Sequence, residues 1–151
     1  VQTSQMMTGY YRDPALTAQV LDDEGWFYTG DLGALDGDGY LRLVDRKKDL
    51  IIRGGQNVYP AEVEACLKRL SGVRQAAVVG LRSALVGEVV WAFVEPYPGA
   101  QLDAAEVLAH CRKQLAPFKV PAEVRFVERL PVTATGKVEK YRLREWARNE
   151  Q

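Results

Sequence analysis

Histidine is almost absent from this 151-residue chain, where His110 stands alone, and cysteine occurs only at Cys66 and Cys111. So few soft ligands, so widely separated, exclude a zinc cluster or a disulfide framework. Both thiols fall among apolar helical positions and read as buried free cysteines. His110 lies outside every motif with no base partner in sight, so it reads as structural or solvated. Net charge is absent as well: 20 basic residues cancel 20 acidic ones. No global field then draws the chain onto nucleic acid or an anionic membrane, and any anion site must be local. The longest apolar runs are strand-sized, well short of the roughly 20 residues that a membrane helix needs. The opening VQTSQMMTGYYRD has neither the basic region nor the apolar core of a signal peptide. A cytoplasmic protein with no transmembrane segment and no nucleic-acid partner is the expectation.

What is present suffices for a core. Hydrophobic residues make up 47% and charged residues 26%, which suits one ordinary domain, or one domain with a piece of another. The chain divides near Asp45. Before it, the sequence is turn-rich and short-stranded, and LGALDGDGYLRLVD reads as a β-hairpin with no helix to cover it, the tail of a larger body. After it, LIIR is a short strand and GGQN turn material. PAEVEACLKRL is a helix with Pro60 at its first position, Glu62 and Glu64 near its N-terminus, and Val63, Cys66, Leu67 and Leu70 on one face. VRQAAVVGL and EVVWAFVEP are Val-rich strands joined by a loop at RSALVG. Asp103 and Glu106 form a capping box, with Leu102 and Val107 as a staple, for a helix through Leu115. APFKVP is a linker, AEVRFVE a strand and VEKYRLREWA a short amphipathic helix. The expected class is α+β, a small unit of mixed strands and helices behind a β-rich tail.

Three stretches offer chemistry suited to a nucleotide: FYTGD with Asp31, DRKKDLIIRGGQNVYP from Asp45 to Pro60, and LPVTATGK with Lys137. A phosphate-binding loop needs Gly five residues before its second Gly and Ser or Thr after its Lys. Pro131 and Val138 stand there instead, so that reading fails. DGDG fails as a calcium loop because Tyr40 replaces the third oxygen ligand, which leaves a turn.

With GYYRDPALT, GWFYTGDLG, DRKKDLIIRGGQNVYPAEVE, LAPFKVP and LPVTATGKVEKYRLR in this order, the chain resembles the C-terminal third of acyl-adenylate-forming enzymes, the AMP-binding superfamily. It is most like fatty-acid and related acyl-CoA synthetases, over nearly its whole length. The resemblance implies that residues 1–45 end a large N-terminal domain and that 46–151 form a mobile C-terminal lid domain. The large domain of that family carries a Ser/Thr/Gly-rich phosphate loop and the acyl pocket, and neither occurs in this sequence. RSALVGE departs from the Pro-Asp or similar pair that usually precedes the family's Gly-Glu.

Carried over by position, Asp31 resembles the aspartate on the ribose hydroxyls of ATP and AMP, and a carboxylate can accept both. A solvated turn aspartate is the bland alternative. Asp45 resembles the hinge residue, and Arg46 the arginine that reaches the ribose with its fork of donors. A solvated basic edge would also explain Arg46, Lys47 and Lys48, and for Lys47 that is preferred. Gly54 and Gly55 match a loop that enters the active site beside the pantetheine arm in the thioester step, although a plain tight turn explains them too. Lys137 resembles the lysine of adenylation, whose ammonium would stabilise charge gathering on phosphoryl oxygens.

The whole enzyme would use ATP, Mg2+ and coenzyme A, with AMP as product, and act on a carboxylic acid through the large domain. None of these would be needed for folding. The segment alone is expected to be inactive, and a homo-oligomer is left open. Two other readings stand beside this one: an adenylation domain serving a carrier-protein thiol, and a catalytically silent nucleotide-sensing or interaction module. The uninterrupted GGQNVYPAEVE and LAPFKVP favour a CoA ligase over the first.

Overall fold

A computed structural model describes residues 1–149, so the last two residues of the expected 46–151 domain lie outside it. The chain forms two compact units, Val1–Lys48 and a second from Asp49 onward.

In the first unit, helix α1 (Pro14–Val20) opens on Asp13, whose side chain accepts from the Leu16 N–H at 2.8 Å, with Pro14 in the first turn. Sequence reading found only turns and short strands there. Seven residues with none buried leave no apolar periodicity to read, and only the Asp-Pro cap announces the helix. Strands β1 (Asp31–Leu35) and β2 (Leu41–Arg46) make the expected antiparallel hairpin, with a bulge between Leu32 and Gly33. Its DGDG turn is closed by Asp36, whose Oδ1 accepts from the N–H groups of Asp38 and Tyr40 at 3.0 and 2.8 Å.

The second unit is built on a five-stranded sheet in which β3 (Ile51–Arg53), β4 (Gln56–Val58), β5 (Val73–Ser83), β6 (Gly87–Pro96) and β7 (Glu123–Phe126) take part. The order is β4-β3-β6-β5, and β7 runs parallel to β6 on the side shared with β3. Strands β3 and β4 are joined by Gly54 and Gly55 alone, at φ +57° and +77°, the two left-handed residues of a tight hairpin. The turn is therefore shorter than GGQN, because Gln56 and Asn57 already pair with Arg53 and Ile52. Arg82 and Ser83 likewise extend β5, which reduces RSALVG to a connection through Leu85.

Helices α2 (Pro60–Lys68) and α3 (Ala104–Gln114) cover one face of the sheet, packing Val63, Cys66, Leu67, Val107 and Cys111 against Val78, Val90, Ala92 and Val94. Helix α4 (Lys140–Asn149) covers the other, where Leu143 and Ala147 meet Ala77, Val79, Trp91 and Phe93. Burial on both faces explains why β5 and β6 read as continuous apolar runs without alternation. Three layers result, and the class is the expected α+β mixture of strands and helices. Asp103 caps α3 by accepting from the Glu106 N–H at 2.7 Å, and Leu102 and Val107 both join the core behind it. The outer edge of β5 is sealed by Glu64, whose Oε1 accepts from the Val78 N–H at 2.9 Å and pairs with the Lys140 ammonium at 2.8 Å. That carboxylate joins α2, β5 and α4.

Cys66 and Cys111 are both buried and free. Burial first, and the neighbouring Cys66 second, push the Cys111 thiol up to about 12. His110 is structural: its Nε2 lies 2.9 Å from the carbonyl oxygen of Cys66 and so ties α3 to α2. No helix among the described residues is long and apolar enough to cross a membrane.

Candidate active-site segments

The first unit brings Asp31 and Arg46 together. They are directly opposed across β1 and β2, and Arg46 Nε lies 3.1 Å from Asp31 Oδ1. Exposure of 54% for the arginine side chain and 27% for the aspartate makes the pair weak as a stabilising contact, on the order of 0–1 kcal/mol. Its chemical value is a carboxylate and a guanidinium side by side within reach of solvent. The Thr29 hydroxyl accepts from the Asp31 N–H at 3.0 Å, and the Gly30 carbonyl accepts from the Lys47 N–H at 2.8 Å. These bonds fold TGD onto the basic run, leaving a concavity lined by Thr29, Gly30, Arg46, Lys47 and Lys48.

Upstream, Asp22 steadies the same segment. Its carboxylate accepts from the Trp26 N–H at 2.8 Å and the Tyr28 hydroxyl at 2.9 Å. The backbone donor of Trp26 chiefly holds Asp22 below the usual carboxylate range, while the bond to Asp22 pushes the Tyr28 phenol up. Asp45 stands inside β2 opposite Leu32, and its Oδ1 accepts from the Arg46 N–H at 2.7 Å. It lies within the first compact unit, which continues to Lys48.

In the second unit, the Gly54-Gly55 turn projects with open space where a Cβ would stand at either residue. It is held from behind twice. The Gly54 N–H donates to the Val86 carbonyl at 2.7 Å, and the Ile52 N–H donates to Glu88 Oε2 at 2.8 Å.

Lys137 ends a miniature hairpin. Val132 and Val138 bridge its base, the Thr133 N–H donates to the Lys137 carbonyl at 2.9 Å, and the Gly136 N–H donates to the Thr133 carbonyl at 2.9 Å. Gly136 takes φ +80°, and the Thr133 hydroxyl accepts from the Lys137 N–H at 3.2 Å. The backbone of this lysine is thus fixed while its side chain is exposed, with no ion-pair partner among the described residues.

Known proteins are similar to this chain in sequence and fold. Residues 62–137 match the family model for the AMP-binding enzyme C-terminal domain, a match that ends on Lys137. The chain belongs to this family.

Among similar members of the AMP-binding family is the 3-[(3aS,4S,7aS)-7a-methyl-1,5-dioxo-octahydro-1H-inden-4-yl]propanoyl:CoA ligase of Mycobacterium tuberculosis, 53% identical over 140 residues, which are 93% of this chain and 28% of that protein. ATP-bound MatB from Rhodopseudomonas palustris superposes with a TM-score of 0.86 at 44% identity, covering 94% of this chain and 28% of that one. The amide bond synthetase McbA from Marinactinospora thermotolerans gives 0.86 at 44% identity, covering 96% and 30%. The chain therefore spans less than a third of the length of these relatives.

In the second unit, the two loops are anchored at different ends of β6. The Gly54-Gly55 turn abuts the start of β6 through Val86, and the segment leading to Lys137 abuts its end, where the Leu130 N–H donates to Glu95 Oε2 at 3.0 Å. Glu88 and Glu95 escape a sequence reading centred on exposed loops. The one available signal is a charged residue at each end of the apolar strand EVVWAFVEP, which must find a partner if it is buried.

Proposed function

We propose that the chain is the C-terminal part of an ATP-dependent acyl-CoA synthetase. This acid-thiol ligase would join a carboxylic acid to ATP as acyl-AMP, releasing pyrophosphate, then pass the acyl group to the thiol of coenzyme A, releasing AMP. The observation that carries the proposal is Lys137, an exposed ammonium on a turn whose backbone is pinned by Thr133, within a chain of this family.

When the carboxylate oxygen attacks the α-phosphorus, negative charge gathers on the phosphoryl oxygens and the departing pyrophosphate. A pre-positioned ammonium stabilises that charge without reorganising. Asp31 takes the ribose hydroxyls, since an ionised carboxylate offers two acceptor oxygens, and Arg46 beside it donates to the same ribose. In the second step the glycines of the β3–β4 turn let backbone lie close to the pantetheine arm, as the absence of any Cβ permits. We assign Mg2+ to the ATP phosphates, as part of the substrate. The first unit belongs to the end of the larger domain that holds acid and nucleotide, the second is the domain that moves, and the segment from Asp45 to Lys48 contains the pivot. The working compartment is the cytoplasm.

A second reading keeps the first half-reaction and changes the acceptor to an amine or a carrier-protein thiol. The similarity to an amide bond synthetase, as high as that to MatB, favours retaining it. The test uses the longer enzyme that contains this chain. Pyrophosphate release from ATP should require a carboxylic acid, and product formation should require CoA. Acyl-AMP made at full rate but consumed only by an amine or a carrier protein would select the second reading. No acid-dependent pyrophosphate release from a broad panel of acids would overturn both.

A further inference from the structure

Strand β6 carries two carboxylates that the proposed chemistry does not use, Glu88 near its start and Glu95 near its end. Seven positions separate them, an odd number, so in a strand without a bulge they face opposite sides of the sheet. Glu88 lies on the α2–α3 side with Val90, Ala92 and Val94, and Glu95 on the α4 side with Trp91 and Phe93. Each reaches out of β6 to a single backbone N–H of another element. Glu88 Oε2 accepts from Ile52, two residues before Gly54, and Glu95 Oε2 accepts from Leu130, seven residues before Lys137.

Both carboxylates have sites made for them. Gly80 on β5 has no side chain, and a Cβ there would meet Glu88 Oε1 at 2.8 Å. Glu95 is 3% exposed, the one buried charged residue among the described residues, and its Oε1 takes the Arg74 guanidinium through both Nε and Nη2. A bulge in β5 at Arg74, between the pairs Val73–Pro96 and Gln75–Glu95, sets the arginine on that carboxylate. The division of labour is clean: one oxygen neutralised by Arg74, the other left for Leu130. Leu130 is itself 2% exposed, and the next residue's carbonyl, on Pro131, accepts from the Glu139 N–H at 2.8 Å, so the whole Lys137 hairpin hangs from this point.

We propose that Glu88 and Glu95 are positioning residues, one for each half-reaction: Glu88 sets the Gly54-Gly55 turn for thioester formation, and Glu95, with Arg74, sets the Lys137 hairpin for adenylation. The proposal rests on the roles given above to Lys137 and the glycine pair. Misplacing a reacting group by about 1 Å costs on the order of a hundred-fold in rate, so losing one anchor should be visible in one step.

The experiment compares Glu88→Gln and Glu95→Gln in the longer enzyme, measuring acyl-AMP formation and thioester formation from supplied acyl-AMP separately. Glu95→Gln should slow the first by about ten-fold or more and spare the second, and Glu88→Gln should do the reverse. In a Lys137→Ala background Glu95→Gln should have no further effect on adenylation. Equal losses in both steps for either variant, or additive losses with Lys137→Ala, would mean a merely structural role and sink the proposal. Amide hydrogen exchange on the 151-residue chain gives an independent reading: Glu95→Gln should speed exchange at Leu130 and Glu139 but not at Ile52, and Glu88→Gln the opposite. Unchanged exchange at these amides also sinks it. If Glu95→Gln does not fold, Arg74→Lys, which keeps both charges, should show the same pattern more weakly, and parent behaviour in that variant refutes the Glu95 half. If Lys137→Ala slows adenylation and Glu95→Gln does not, the positioning idea fails alone; if Lys137→Ala adenylates at the parent rate, the functional reading fails first.

Discussion

Lys137 and Cys111 show how differently a single residue can be used. Lys137 is fixed in backbone and exposed in side chain, which suits a charge that must reach a transition state. Lys137→Ala in the longer enzyme should slow acyl-AMP formation by on the order of a hundred-fold or more while sparing CoA transfer from supplied acyl-AMP. Acetylation of Lys137 should act in the same way because it removes the same charge. Single-turnover assays of the two steps check both, and an equal loss in each would argue against the assignment. Cys111 is sealed in the core, where its raised value keeps the thiol neutral. Unfolded, it would ionise at its ordinary 9.0, so above that pH the folded state binds more protons and stability falls as pH rises toward about 12. Urea titrations from pH 8 upward should show this decline, and Cys111→Ala, less stable at every pH because of the cavity, should show a shallower one. The turns that carry Asp31, the Gly54-Gly55 pair and Lys137 were legible from the sequence because each has its own turn chemistry. Glu95 was not, because its partners Arg74 and Leu130 lie 21 and 35 positions away, and no local pattern links them.

Elements were legible where periodicity and burial agree. The apolar face of α2, the capping aspartate of α3 and the Val-rich β5 and β6 all follow from the order of residues. Helix α1 did not, since it buries nothing and leaves only a cap to read. The β3–β4 turn was read too long because Gln56 and Asn57, polar and exposed, look like loop, whereas pairing with β3 makes them strand. Gly80 illustrates the reverse case, a glycine in mid-strand whose purpose lies across the sheet. Gly80→Ala would bring a Cβ to 2.8 Å from Glu88 Oε1 and 3.0 Å from Ile51 Cγ1, displacing both. It should destabilise the chain by about 1–3 kcal/mol, the usual cost of overpacking a close site. Denaturant unfolding measures this, and an unchanged midpoint would show that Glu88 and Ile51 have room to move.

At the scale of the whole molecule, the length of β6 constrains the mechanism. The Gly54-Gly55 turn is tied to its start and the Lys137 hairpin to its end, across the seven residues from Glu88 to Glu95, or roughly 23 Å of extended strand. On the proposed function, where each loop serves its own half-reaction, we expect the second unit to take two placements, one for each step. The 151-residue chain by itself should therefore bind ATP weakly and catalyse neither step, as purified chain in a pyrophosphate-release assay will show. On that proposal the change of placement would be absorbed by the few residues that connect the units, whose boundary falls after Lys48. Proline fixes φ, so Asp45→Pro and Lys48→Pro in the longer enzyme should each restrict that segment. The residue that truly pivots should lose one half-reaction and keep the other. Asp45 also pairs with Leu32 in β2, so if it is not the pivot, proline there should instead weaken both steps by disturbing the strand that carries Arg46. Parent rates for both steps in both variants would remove this segment as the pivot.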